Sequence, residues 1–103
     1  MLLDGRIEKR VLMVVAAYLV SVEERFVTER VLTENVSSHG ARVMTKRRWQ
    51  PGEQPRLVPL LGESESPARV VYCQGPTNGH FYLGLEFRAG SVKWEKALGV
   101  ARP

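Results

Sequence analysis

The 103-residue chain has one cysteine, two histidines and no long apolar run, and each shortage removes a class of function. A lone Cys73 closes no internal disulfide and supplies no multi-cysteine metal site, which fits a reducing compartment. His39 and His80 each stand beside a glycine in an expected turn. Without a His-Glu-x-x-His or Cys-x-x-Cys spacing they predict no metal centre. The apolar run Val11 to Val20 is too short to span a bilayer. It lacks a small-residue cleavage pattern and leads straight into Ser21-Val22-Glu23-Glu24, so it is not read as a signal peptide. The expectation is a cytoplasmic protein with no membrane span.

Catalytic signatures are missing as well. There is no Gly-x-Ser-x-Gly elbow and no lysine following repeated glycines. Ser37, Ser38 and Cys73 are the candidate nucleophiles, but Cys73 falls in an apolar strand and reads as an inert buried thiol. Glu23, Glu24, Glu63 and Glu65 lie in polar loops and read as solvated. The chain reads as a binder and not an enzyme, with no cofactor of its own.

What is present suits one small domain with a single core. Apolar content of 44% and charged content of 25% are ordinary for a globular protein. The net charge of +4 favours anionic partners without choosing among nucleotide, nucleic acid and membrane surface.

Short alternating stretches separated by turn residues fill most of the chain. Val11 to Val22 reads as a buried strand, because its β-branched content and missing caps disfavour a helix. Phe26 to Glu34 and Ala41 to Thr45 alternate as half-buried strands. Gln54 to Leu61 is a further strand that Pro55 and Pro59 shorten or place at an edge. Ala68 to Gln74 and His80 to Phe87 form a hairpin around Asn78-Gly79, with Phe81, Leu83, Leu85 and Phe87 on one face. Ser91 as a cap and Gly99 as a stop predict a short helix over 91–98. The fold class expected is all-β: a small six-stranded antiparallel β-barrel over 14–87, a flexible arm over 1–13 and a short C-terminal helix.

Two basic clusters stand out. Arg6 and Arg10 are four residues apart with Lys9 between them, and guanidinium groups donate bidentately to phosphate and stack on flat bases. Lys46-Arg47-Arg48-Trp49 is either a nucleic-acid patch with an aromatic stacker or a charged loop whose Trp packs at the barrel rim; the rim is favoured. Between the second and third expected strands, Asn35-Val36-Ser37-Ser38-His39-Gly40 combines turn-forming residues with short donors and acceptors. Gly40 there tolerates a positive φ.

An arginine pair near the N terminus, a turn of form Asp/Asn-x-Ser-x-x-Gly and a late strand ending Gly-aliphatic-x-Phe together resemble the PilZ domain, a family of receptors for the bacterial second messenger cyclic di-GMP. The turn is Asn35 to Gly40, complete at every defining position, and the late strand is Gly84-Leu85-Glu86-Phe87. The resemblance runs from about Arg6 to Phe87 and implies a six-stranded barrel with a flanking helix. It implies that Arg6 and Arg10 clamp the phosphates and stack on guanine, with Lys9 a further ligand-binding residue, that Asn35 and Ser37 hydrogen-bond the ligand, and that Gly40 admits it to the backbone. Binding is then expected to order the arm and present a changed surface to a downstream protein partner.

Two alternatives stay open. In a second register Lys9-Arg10 fills the family's basic pair and Met13 stands where a final arginine belongs. That register implies a degenerate PilZ domain acting as a protein–protein adaptor without nucleotide. A small-barrel nucleic-acid binder using Lys46 to Trp49 is the third reading, less favoured, and it predicts steep salt dependence.

Overall fold

The computed structural model describes residues 11–21, 27–60, 65–89 and 100–101. These form β1 (Met13–Val14), β2 (Ala16–Ser21), β3 (Val27–Val36), β4 (Gly40–Thr45), β5 (Arg56–Pro59), β6 (Ser66–Thr77), β7 (His80–Phe87) and β8 (Val100–Ala101). Six of them close an antiparallel barrel in the order β2-β3-β4-β7-β6-β5, with β5 pairing back onto β2. β1 and β8 make a separate two-stranded sheet. The described residues contain no helix; the helix expected over 91–98 and residues 1–10 of the expected arm lie outside them.

Alternation builds the barrel. Ala17 and Leu19 on β2, Val31 on β3, Val43 on β4, Val70 on β6 and Leu83 and Leu85 on β7 are buried, while their neighbours face out. Each fully buried Leu or Val contributes about 1.5–3 kcal/mol over an exposed one. Ala17, Ala41 and Ala68, all fully buried, leave room for the larger Leu, Val and Trp49.

The strand boundaries depart from the sequence pattern where side chains intervene. The run expected as one strand from Val11 to Val22 breaks at Val15, because Thr33 takes over its pairing. The buried Thr33 hydroxyl accepts the Val15 N–H at 2.7 Å and donates to the Met13 carbonyl at 2.6 Å. Before the break the chain is tied down rather than free: Val11 makes a two-way backbone bridge with Val36, and Met13 pairs with Ala101. The fourth barrel strand starts at Arg56 and not Gln54, since Pro55 has no N–H for the ladder and only its carbonyl takes part, accepting from Ala68. Closure of the barrel means that this strand is no edge; its prolines shorten it and leave only two residues paired with β6.

Beyond Gln74 the β6–β7 register shifts, yet the strand reaches Thr77 and the turn narrows to Asn78-Gly79. Both turn residues have positive φ, 53° and 81°, the geometry that matches hairpin twist.

Candidate functional site

Two sequence motifs far apart in the chain meet at one corner of the barrel. β3 runs past Glu34, through a register shift between Thr33 and Asn35, so Asn35 and Val36 are strand residues facing Arg42 and Ala41. The turn itself is only Ser37-Ser38-His39. Ser37 N–H donates to the Gly40 carbonyl at 2.9 Å, and the buried Ser37 hydroxyl points at the same oxygen at 3.4 Å. Gly40 opens β4 in strand conformation, so its missing side chain, and not a left-handed φ, is what it brings.

β4 then pairs with β7, setting Gly40 opposite Glu86 and Arg42 opposite Gly84. Phe87 N–H closes the corner by donating to the His39 carbonyl at 2.9 Å. An open cleft of about 260 Å³ lies here, lined by Ser37, His39, Gly40, Tyr72, Gly84 and Glu86.

One wall of that cleft was invisible in the linear sequence. Tyr72 on β6 lays its ring over Gly84: a Cβ at that glycine would overlap the ring at Tyr72 Cε2. The ring is held by Arg42, whose Nη1 donates to the Tyr72 hydroxyl at 2.9 Å and to Gln74 Oε1 at 3.1 Å. Arg42 Nε donates to Glu34 Oε1 at 2.6 Å, and its guanidinium carbon lies 4.7 Å from the centre of the Tyr82 ring. Partial burial acts to lower the Arg42 pKa, but the hydrogen bonds to Tyr72 and Glu34 and their charge outweigh it and raise the value, so the group is a permanent cation. Glu86 pairs with Arg69 at 2.8 Å, both about half exposed.

Of the residues singled out from sequence, Asn35, Ser37 and Gly40 come together at this corner. Arg6, Lys9 and Arg10 lie outside the described residues, but the next residue after Arg10 is Val11, which is bridged to Val36 inside the turn motif. Arg42, Tyr72 and Glu86 join the site only through register. The sole signal for them is that Gly84 and Gly40 occupy outward positions of paired strands, which leaves space for a ring and a cleft.

The second basic cluster resolves differently. Trp49 is 1% exposed, and its indole N–H donates to Glu29 Oε1 at 3.1 Å, so it fills the barrel end and offers no face to a base. Arg47 stacks on it at 4.4 Å, and Arg48 lies over Phe81 at 4.8 Å. Cys73 is half-buried against the core on β6.

Among the described residues no group of three His, Cys, Asp or Glu side chains is placed to hold a metal ion, and no helix is long and apolar enough to cross a membrane. No protein-family model matches the chain, and no curated protein matches it.

Proposed function

We propose that the chain is a non-catalytic receptor domain of the PilZ type that binds cyclic di-GMP at the Ser37–Gly40 corner and relays the event to a partner protein. The observation that carries this reading is the β4–β7 register, which sets the Asn35–Gly40 turn against the Gly84–Phe87 strand around one cleft. The Val11–Val36 bridge supports it further, because it anchors the residue after Arg10 within the turn motif. The cleft of about 260 Å³ falls short of the roughly 300–1,000 Å³ of enclosing ligand sites, so the ligand needs another wall. The arginine segment is the candidate for it. In this reading Arg6, Lys9 and Arg10 meet the two phosphates, Asn35 and Ser37 act from the turn, and the Tyr72 ring forms the fixed side.

Isothermal titration with cyclic di-GMP tests the reading. Binding is expected, and Arg10→Ala is expected to weaken it about ten- to a hundred-fold, the value of one charge-assisted hydrogen bond of about 1.5–3 kcal/mol. No heat with the wild-type chain at tens of micromolar ligand counts decisively against it. The adaptor reading keeps one supporting observation: Met13, the non-arginine of the second register, packs against the core. Partner binding that survives the Arg6/Arg10 double alanine change favours that reading instead.

A further inference from the structure

The outer surface of the barrel carries an apolar row that the core does not use. Tyr82 pairs with Met44, Met44 with Leu32, and Leu32 with Ala16, and Leu60 N–H donates to the Ala16 carbonyl. One register step away, Tyr18 faces Arg30 on one side and Val58 on the other. Leu32, Leu60 and Tyr18 are about 40% exposed, at 40%, 39% and 39%. Outward-facing strand positions in a solvated barrel are ordinarily polar, so a row of this length across four strands and the residue after β5 is a feature in need of an occupant.

Beside the apolar row runs a cationic one. A groove of about 400 Å³ is lined by Leu32 and Met44 together with Arg30, Lys46 and His80. Among the described residues the ion pairs are Arg42–Glu34, Arg56–Glu65 and Arg69–Glu86, and neither Arg30 nor Lys46 joins one. The nearest acid on β3, Glu29, has both oxygens committed, to the Trp49 indole and to the backbone N–H groups of Lys46 and Arg47. The groove therefore presents apolar surface beside two cations that join no ion pair among the described residues.

From this pairing we infer that the Leu32–Met44 groove docks an acidic amphipathic helix of a partner protein, with its apolar stripe on Leu32, Met44 and Leu60 and its carboxylates on Arg30 and Lys46. The closed barrel offers no strand edge here, so recognition runs through side chains and not through an added strand. Charge excludes the nearer alternatives. A second copy would bring the same cations against each other on a chain of net charge +4. Residues 1–10 and 90–103 are basic as well, with Arg6, Lys9 and Arg10 against Asp4 and Glu8, and Lys93, Lys96 and Arg102 against Glu95, so neither segment suits this cationic groove. The inference stands independently of nucleotide binding.

The probe is a fluorescein-labelled designed helix with leucines at i, i+3, i+4 and i+7 flanked by glutamates, titrated against the full chain by anisotropy. Binding on the order of tens of micromolar or tighter is expected. Arg30→Glu and Leu32→Asn are each expected to weaken it at least about tenfold. Arg88→Glu, the same charge change on the segment after β7, is expected to alter it less than about twofold. Circular dichroism of each variant separates lost docking from lost folding. Equal losses from Arg30→Glu and Arg88→Glu, equal binding of a scrambled peptide of the same composition, or no binding at about 100 µM would overturn the inference. So would self-association through these residues, or a preference for phosphatidylglycerol vesicles or a single-stranded oligonucleotide over the peptide.

Discussion

At one end of β4, Trp49 is sealed into the barrel under Arg47, with its N–H on Glu29; at the other, Tyr72 lies on Gly84 under Arg42 and lines an open cleft. Both sites combine an arginine, an aromatic ring and a glutamate. In the first, the glutamate accepts one indole and two backbone N–H groups and the ring is fully buried, so the group closes the barrel. In the second, the glycine opposite the ring leaves room at the surface. An arginine beside an aromatic residue is therefore no sign of ligand binding on its own. Burial and the neighbour across the ladder decide whether the pair is mortar or wall.

Four substitutions sharpen or break this contrast. Trp49→Ala should cost most, about 3–5 kcal/mol in urea unfolding, because it empties the barrel end. Glu29→Ala should follow at about 1–3 kcal/mol by the same measurement, since it strands the indole N–H and two backbone donors. Gly84→Ala should come next at about 1–3 kcal/mol, because the added Cβ overlaps the Tyr72 ring and moving that ring breaks its hydrogen bond with Arg42. Its signature is a displaced Tyr72 ring, visible as a change in that ring's NMR shifts, and a loss of ligand affinity larger than the stability loss. Arg69→Ala, which breaks a half-exposed surface pair, should change stability by about 0–1 kcal/mol. If Trp49→Ala proves as mild as Arg69→Ala, the plug is not structural and the contrast fails.

Much of the fold was legible in the chain. His80 to Phe87 alternates cleanly and is found at those limits, and Asn78-Gly79 turns as its composition requires. Harder to read were places where one distant side chain rewrites a strand. Nothing near Val15 announces that Thr33, eighteen residues on, will take its N–H and split the apolar run. Nothing near Glu34 announces that β3 continues two residues further, turning an expected six-residue loop into a three-residue turn. Half of the candidate site was legible too: Asn35, Ser37 and Gly40 are named by local turn chemistry. Arg42, Tyr72 and Glu86 carry no local signal.

The sequence by itself determined the class of architecture, since alternation with period two and glycine-rich turns leave few alternatives to a small closed sheet. It also determined that the molecule is cationic and has one thiol. Only the tertiary structure decided which outward side chains are neighbours. Strand register is a long-range choice, and one slip of a residue would send Tyr72, Arg42 and Leu32 to the opposite face. The cleft and the apolar row exist because that choice is fixed by the buried partners of these residues, Val43, Val70 and Leu83, packing inside the barrel.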